Sequence, residues 1–269
     1  IENTWKGEGG IVTWERGGYN PSEVFAVLQD YEIELKKSEY FAEDVTFTNK
    51  IYFDEPLKGV LHDKVKFNKK PEDATYPKFD SYTKKFVIED LYENIDYEGG
   101  LSMQGSKLVG TGTLENTAKL RIYKNDTLVL SAASVYFGFR SDRVSSLRTA
   151  VTIKLRNDSI FHSNLFFTYR VKFKELTLLK SDDYSSQAPY SNSYHKVDMN
   201  FDQLTWRMDE DIMTFSAPRG AAIGYAYFES VNYFNYNKFM NMMMLDRAHP
   251  LVSLKSFANK YGSDEFPVN

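Results

Sequence analysis

The feature that most constrains this chain is a series of short segments in which apolar and polar residues alternate. In AVTIKL (150–155), every second side chain is apolar, and RVKFKEL (170–176) places Val171 and Phe173 between charged residues. A period of two puts successive side chains on opposite faces of a strand, with one face buried and the other in solvent. Such segments recur about every 8–12 residues, which is typical of an all-β protein.

The predicted strands and the turns between them define the expected architecture. Strands are predicted at 31–35, 44–49, 60–67, 85–91, 118–124, 127–139, 150–155, 164–179, 194–208, 212–217 and 223–230. Asn-Asp pairs at 125–126 and 157–158 suit tight reversals, and the glycines between 99 and 113 suit bends or bulges. The sequence therefore predicts a mainly β fold. Its strands are short and largely antiparallel, in a sandwich or an elongated, curved sheet.

Helices are predicted near both ends of the sequence. The segment NPSEVFAVLQ (20–29) predicts a short helix with Asn20 as its N-cap and Pro21 at its first position. Towards the other end, apolar residues at helical spacing form one stripe. The stripe consists of Tyr236, Phe239, Met240, Met243 and Met244. A second helix is predicted over 250–261, with Pro250 in its first turn and Gly262 suited to end it.

The methionine-rich sequence MNMMM (240–244) belongs to that stripe. Core packing is favoured, because flexible methionine side chains fill irregular gaps, while a partner groove or a copper(I) site are the alternatives. The change from alternation to helical spacing predicts a β-rich domain over 1–230 and a helical hairpin over 231–269. We expect the hairpin to pack on that domain or on a neighbouring segment of a longer chain.

Few residues have the spacing that catalysis or metal binding requires. The chain has no cysteine, which excludes disulfides, thiolate ligands and cysteine nucleophiles. Its histidines are isolated, and the HExxH, G-x-S-x-G and phosphate-loop patterns are absent. The acidic residues Asp209, Glu210 and Asp211 are interpreted as a solvated turn, with a calcium site as the alternative, although the D-x-[DN]-x-[DN]-G loop is absent. We expect no catalytic residue, no metal and no cofactor. Whether the chain is an enzyme stays open, with a non-enzyme favoured.

Charge and hydropathy limit the expected partners. The net charge is −4, and acidic and basic residues are interspersed without a basic tract. Nucleic acid is therefore not an expected partner, because phosphate contacts need clustered Lys and Arg. No apolar run reaches the roughly 18 residues that a transmembrane helix needs. A membrane-spanning helix is not expected.

Aromatic side chains in polar surroundings are the candidates for ligand contact. Trp14 lies in the glycine-rich KGEGGIVTWERGG, and Tyr184, Tyr190 and Tyr194 lie in or beside the polar stretch SDDYSSQAPYSNS (181–193). Loops on a β scaffold often carry binding residues, and flat rings provide stacking surfaces for sugars. These four residues are the predicted ligand-binding residues.

Three stretches resemble segments of very large secreted or envelope proteins of Bacteroidetes-type bacteria. They begin GGIVTWERGGYNPSEVF, YPKFDSYTKKFVIEDLY and AHPLVSLKSFANKYG, and cover 9–49, 76–113 and 248–266. The resemblance extends over most of the chain and includes no catalytic signature. It implies that the chain is a portion of an elongated, β-rich extracytoplasmic protein in the periplasm, at the cell surface or secreted.

Two tripeptides resemble the O-glycan acceptor motif of such bacteria, Asp-Ser/Thr followed by an apolar residue. They are DTL (126–128) and DSI (158–160), with the hydroxyls of Thr127 and Ser159 as the predicted attachment points. The alternative is that the Asn-Asp pairs in these segments are only turn residues.

Three functional hypotheses follow. The favoured one is a non-enzymatic structural or interaction module, which docks on other segments of its parent chain or on envelope proteins. The second is a carbohydrate-binding or carbohydrate-processing module with a glycan as its partner. The third is an envelope-assembly part that handles an apolar ligand within a curved sheet.

Overall fold

A computed structural model describes residues 3–67, 70–181, 184–217, 226–232, 234, 236–244 and 250–262. The chain divides into two compact units, Ile1–Phe228 and Glu229–Asn269. The division lies close to the boundary predicted after residue 230.

The first unit is built from short strands. They are β1 (Thr4–Glu8), β2 (Ile11–Thr13), β3 (Val24–Val27), β4 (Asp30–Glu34), β5 (Glu39–Asn49), β6 (Leu57–Lys64), β7 (Lys78–Ser81), β8 (Phe86–Tyr92), β9 (Ile95–Gln104) and β10 (Lys107–Thr111). There follow β11 (Ala118–Lys124), β12 (Thr127–Ser134), β13 (Tyr136–Arg140), β14 (Arg143–Leu155), β15 (Asp158–Arg170), β16 (Glu175–Leu179), β17 (Tyr190–Asn192), β18 (Val197–Asn200), β19 (Gln203–Arg207) and β20 (Met213–Ser216). Strand β21 (Tyr227–Ser230) lies at the division between the units. Short 3-10 helices occupy Glu15–Gly17, Pro71–Asp73, Val171–Phe173 and Tyr184–Gln187.

These strands form one continuous antiparallel sheet, so the predicted mainly β fold is confirmed. The pairing registers connect one line of directly opposed residues from β1 to β20. The line is Gly7, Tyr31, Ala42, Leu61, Phe79, Met103, Leu108, Phe139, Val144, Tyr169, Leu176, Trp206 and Met213. All of these are buried except Gly7, Tyr31 and Met213, which are half-buried. Directly opposed residues share a face of the sheet, so this line marks the face that forms the core.

Several long strands change partners midway, which allows the sheet to bend. The first half of β9 pairs with β8 and β11, and its second half pairs with β7 and β10. Likewise, the first part of β14 pairs with β13 and its last part with β12. The β14–β15 register shifts at Thr149, and close by the Ser134 hydroxyl donates to the Arg148 carbonyl at 2.6 Å. The Ser146 hydroxyl donates to the Ser134 oxygen at 2.9 Å, whereas the buried Thr149 hydroxyl has no hydrogen-bond partner among the described residues.

Aromatic rings from β9, β13 and β15 pack together in the core. Tyr97, on the first half of β9, packs edge-on against Phe139 of β13 at 5.1 Å between ring centroids. Phe137 lies 6.5 Å from Tyr97 and 6.2 Å from Phe167 of β15. At the rim, the Tyr92 hydroxyl donates to the Arg140 carbonyl at 2.8 Å. Burial of these large rings supplies much of the driving force for folding.

The helix predicted over 20–29 is wrong. The Asn20 side chain does accept a hydrogen bond from the Ser22 N–H at 3.0 Å, but only a turn follows, and β3 begins at Val24. Val24 and Ala26 are fully buried on one face, because β3 pairs with β5. Tertiary pairing outweighs the local helix signal here.

The strand predicted through RVKFKEL is also wrong at its centre. Residues Val171–Phe173 form a 3-10 turn, and Lys174 has a left-handed φ of 46°. The predicted strand over 164–179 is therefore the hairpin of β15 and β16. The Asn125–Asp126 turn is confirmed, with φ of 50° and 57°. In the next hairpin the left-handed residue is Arg156, and Asp158 already belongs to β15.

The second unit contains helices α1 (Tyr236–Met244) and α2 (Pro250–Tyr261), as predicted. Gly262 ends α2 with φ of 62°, and its N–H donates to the Ala258 carbonyl at 2.8 Å. Within the stripe on α1, Tyr236, Phe239 and Met243 are exposed. Packing of this stripe on the β-rich domain or on a neighbouring segment stays a prediction, and the side chains of Met242 and Met244 lie outside the described ones.

Candidate functional site

Two of the predicted ligand-binding residues are in the core. Trp14 is 0% exposed and packs edge-on against Phe47 of β5 at 4.9 Å. Tyr190 is 1% exposed and stacks on Phe201 at 4.3 Å. The prediction that Trp14 and Tyr190 present surfaces to a ligand is wrong, because rings this deeply buried offer no face to solvent.

The other two predicted ligand-binding residues, Tyr184 and Tyr194, do not form a site with Trp14 and Tyr190. Tyr194 is exposed in the turn between β17 and β18, and its ring lies edge-on to the His195 ring at 4.8 Å. The backbone of Tyr184 lies in a 3-10 helix, and its side chain is outside the described ones. Trp14 and Tyr190 pack in different parts of the core. The structure therefore does not assemble the predicted four-residue site.

The predicted glycosylation positions lie in hairpins. Thr127 is exposed at the start of β12, and its hydroxyl donates to the Asn125 carbonyl at 3.4 Å. Ser159 is half-buried in β15, where its N–H donates to the Ser193 hydroxyl at 2.9 Å. O-glycosylation of both stays a prediction, with Thr127 the more accessible acceptor.

A buried polar cluster lies under the segment that connects β16 to β17. His162 is buried, and its Nε2 atom lies 2.9 Å from the Ala188 carbonyl. Lys180 is also buried, and its ammonium donates to Asn200 Oδ1 at 2.7 Å and lies 5.6 Å from the centroid of the Tyr190 ring. Burial lowers the pKa of the Lys180 ammonium. The contacts made by these groups are with the protein itself, so the cluster fixes this connection in place.

A more accessible site lies on the outer face of β1, β4 and β5. It is an open groove of about 710 Å³. Its lining consists of Lys6, Gly7, Glu8, Asp30, Tyr31, Glu32, Phe41 and Glu43. Four of these residues are carboxylates and one is an ammonium. None of the four carboxylates has an ion-pair partner among the described residues.

The pairing register explains why the groove residues lie together. Lys6 is directly opposite Glu32, Glu32 is opposite Phe41, and Phe41 is opposite His62 of β6. This row runs across four neighbouring strands on one face. Ala42, the next residue after Phe41, is buried on the other face. The row therefore belongs to the outer surface of the sheet.

An aromatic pair lies at one end of the row. The Phe41 ring is 56% exposed and stacks on the His62 imidazole, with 4.1 Å between centroids and 18° between planes. Glu39 anchors this pair, since its carboxylate lies 3.1 Å from His62 Nε2 and 3.3 Å from Lys64 Nζ. Hydrogen bonds from His62 and then Lys64 lower the pKa of the Glu39 carboxyl. The exposed ring is thus held in one orientation.

The groove also borders an edge of the sheet. In the described part of the chain, β1 pairs only with β4, from Thr4 opposite Glu34 to Glu8 opposite Asp30. Its other side presents main-chain N–H and C=O groups that no described strand uses. Such an edge can take up a further strand.

Sequence reasoning missed this site. The segment SEYFAED contains an aromatic residue between acidic ones, which was a usable signal. However, the side chain at Phe41 could not be assigned to the outer face from alternation alone. Strand β5 has a register shift between Ala42 and Val45, and Asp44 there has a left-handed φ of 53°. This bulge reverses which residues face inward.

Comparisons with known proteins assign no relationship, because no protein-family model, curated protein or solved structure matches this chain. Within the described residues, no three or more His, Asp or Glu side chains form a group that could hold a metal ion. The helices that the structure describes include none that is long and apolar enough to cross a membrane.

Proposed function

We propose that this chain is a non-enzymatic interaction module of a large extracytoplasmic bacterial protein, and that the groove on β1, β4 and β5 is its binding surface. The observation that carries the proposal is the row of Lys6, Glu32, Phe41 and His62, which places charged groups and an exposed ring on one rigid face. A concave site with a few convergent polar groups is the usual form of a binding site. The extracytoplasmic location rests on the sequence resemblance.

Carbohydrate binding is the second candidate, at this groove and not at the residues first predicted. The Phe41 ring offers a flat apolar surface, and the carboxylates of Glu32 and Glu43 offer acceptors for sugar hydroxyl groups. No such observation supports the hypothesis that the chain handles an apolar ligand. Between Tyr97 and Phe167 the interior of the sheet is filled by packed rings.

The proposal is tested by screening the chain on a glycan array and on an array of peptides of varied charge. Hits are then repeated with Phe41→Ala, and with Phe161→Ala as the matched control. Phe161 is also an exposed phenylalanine on a strand, 43% exposed on β15, but it does not line the groove. We expect at least one ligand whose affinity falls about tenfold or more in Phe41→Ala and not in the control. The proposal is overturned if every hit survives Phe41→Ala, or if no ligand binds on either array.

A further inference from the structure

We infer that a small zwitterion, of the size and charge of an α-amino acid, binds in a cavity between four turns of the first unit. This end cavity has a volume of about 160 Å³ and is lined by residues 93–94, 122–125, 169, 174 and 208–209. It shares no residue with the groove on β1, β4 and β5. The inference therefore goes beyond the proposed function and does not depend on it.

Main-chain hydrogen bonds hold the walls of the end cavity in place. The turn between β8 and β9 is joined to β11, because the Tyr123 N–H donates to the Asn94 carbonyl at 3.0 Å. In the same way, the Met208 N–H after β19 donates to the Lys174 carbonyl before β16 at 2.9 Å. These contacts join residues that are distant in the sequence. The cavity is thus formed by the folded backbone before any ligand binds, as is usual for small-molecule sites.

Two ion pairs connect these walls across the end cavity. The ammonium of Lys174 lies 3.5 Å from Glu93 Oε1, and the ammonium of Lys124 lies 3.4 Å from Asp211 Oδ1. The Glu93 side chain is 74% exposed and that of Asp211 is 99% exposed. Ion pairs this exposed contribute little to stability. Both ammonium groups can therefore turn to a ligand carboxylate at small cost.

An unpartnered hydroxyl group lies at the inner end of the cavity. Tyr169 is only 3% exposed, yet its hydroxyl has no hydrogen-bond partner among the described residues. Burial, followed by the charges of Asp209 and Glu93, raises the pKa of Tyr169 to about 12. The hydroxyl is therefore directed towards the two carboxylates of the lining and stays protonated. Buried polar groups are normally hydrogen-bonded, so this hydroxyl needs a partner from the contents of the cavity.

The charges of the lining select the class of ligand. The lining carries two carboxylates and two ammonium groups, those of Glu93, Asp209, Lys124 and Lys174. Asp209 has no ion-pair partner among the described residues, so a ligand ammonium can pair with it and donate to the Tyr169 hydroxyl oxygen. A ligand carboxylate then faces the two lysines. A ligand with one charge only would leave the opposite set of groups without a partner.

The volume of the end cavity limits the ligand to a small molecule. Sites for drug-sized ligands have about 300–1,000 Å³, which is well above the volume of this cavity. An α-amino acid with a short side chain carries both required charges within a few bonds of each other. A polypeptide segment or an oligosaccharide is too large to enter.

The test is saturation-transfer NMR with a panel of small α-amino acids, namely glycine, L-alanine, L-serine, L-threonine, L-valine and L-asparagine. Propionate carries only the carboxylate, ethanolamine only the ammonium, and glucose is an uncharged polyol. We expect at least one amino acid to bind with a Kd of about 1 mM or tighter. Propionate and ethanolamine should bind at least about tenfold more weakly, because each leaves charged groups of the lining unpaired.

Three substitutions test the role of each group. Tyr169→Phe should weaken binding of the amino acid about three- to tenfold, as expected for one hydrogen bond. Asp209→Asn should weaken it about tenfold or more, since the ligand ammonium loses its carboxylate. Lys174→Gln should weaken binding of the amino acid and leave the residual binding of ethanolamine unchanged, which a purely structural role would not produce.

Each substitution has a matched control outside the end cavity. These are Tyr136→Phe and Asp80→Asn, which change exposed side chains, and Lys172→Gln, which changes an exposed lysine in the same 3-10 turn that precedes Lys174. All three should bind the amino acid like the unaltered chain. Asp209 is exposed as well, so Asp209→Asn should fold normally even if Tyr169→Phe lowers the urea midpoint.

The inference is overturned if no amino acid of the panel binds, because the cavity then holds only water. Binding of ethanolamine or propionate as tight as that of the amino acids, or glucose as the only ligand that depends on Tyr169, would show that the ligand class is wrong. An amino acid that binds all three variants without loss occupies another site, which also overturns the inference. Phe41→Ala should leave amino acid binding unchanged, so the failure of this site and the failure of the proposed function are separate results.

Discussion

The imidazole of His162 donates a hydrogen bond from Nε2 to the main-chain carbonyl of Ala188, at 2.9 Å. On its other side, Nδ1 accepts the N–H of Asn164 at 3.0 Å. Both ring nitrogens are therefore used by the neutral Nε2–H form, and the side chain is buried. Protonation at Nδ1 would remove the acceptor and add a charge next to the buried Lys180.

The stability of the protein should consequently depend on pH through His162. Burial is the largest cause that lowers the pKa of His162, and the nearby Lys180 lowers it further, against the opposing effect of the Ala188 hydrogen bond. As the pH falls below about 6.5, His162 becomes protonated in the unfolded chain while it is still neutral in the folded chain. The free energy of unfolding contributed by this residue is therefore complete above that pH and is lost as the pH falls.

We expect His162→Gln to lose less free energy of unfolding than the unaltered chain between about pH 7.5 and about pH 5, measured by urea unfolding. His195→Gln, which changes an exposed histidine in the β17–β18 turn, should follow the unaltered chain. Parallel pH profiles for His162→Gln and the unaltered chain would show that His162 is not the titrating group.

Gly105 should tolerate no side chain. It has φ of 55° in the β9–β10 turn, and an added Cβ would lie 2.1 Å from the Ala74 carbonyl oxygen. Gly9 has a similar φ of 69°, but an added Cβ there meets nothing within 4 Å. Gly9→Ala should cost only the backbone strain of about 1–2 kcal/mol. Gly105→Ala should cost more than about 3 kcal/mol, because the main chain must also move. Equal urea midpoints for the two variants would contradict this.

In the core, Phe137 of β13 packs against rings of β9 and β15. Its ring packs against Tyr97 on one side and Phe167 on the other, and it is fully buried. Phe137→Ala should lower the free energy of unfolding by about 3–5 kcal/mol, since it removes a buried ring and leaves a cavity. Phe161→Ala should change it by less than about 1 kcal/mol, because that side chain is partly exposed. Guanidinium unfolding curves of the two variants provide the measurement, and a small effect at Phe137 would argue against the aromatic core.

The hydrogen bond between Tyr92 and Arg140 joins β8 and β13. Tyr92→Phe removes the donor to the Arg140 carbonyl and should cost about 1 kcal/mol in thermal or urea unfolding. The control is Tyr136→Phe, since the Tyr136 ring is exposed and its hydroxyl has no hydrogen-bond partner among the described residues. Equal free energies of unfolding for the two variants would show that the Tyr92 hydrogen bond does not stabilise the contact between β8 and β13.

Much of the fold could be predicted because its signals are local. Alternation identified AVTIKL as part of a strand, the Asn125–Asp126 pair marked a hairpin, and helical spacing identified α1. The prediction of secondary structure was wrong where pairing with a strand distant in the sequence determined the conformation. Val24–Val27 is a strand because β5 pairs with it, although its own sequence favours a helix.

The candidate site was harder to predict, because exposure is not a local property. Tyr190 lies in a polar stretch and is buried, whereas Phe41 lies among acidic residues and is exposed. Neither position could be assigned until the strand register was known, since the same aromatic residue suits either face of a strand.

Strand β5 separates what the sequence determined from what the tertiary structure decided. Its alternation predicted a strand over 44–49, whereas β5 extends from Glu39 to Asn49. Strict alternation would place Phe41 and Phe47 on the same face, yet Phe41 is 56% exposed and Phe47 is 0% exposed. The bulge between Ala42 and Val45 in the pairing of β5 with β6 reverses the faces. The alternation of apolar and polar residues is a property of neighbouring positions in the sequence. Which face of the strand is buried depends on pairing with strands that are distant in the chain.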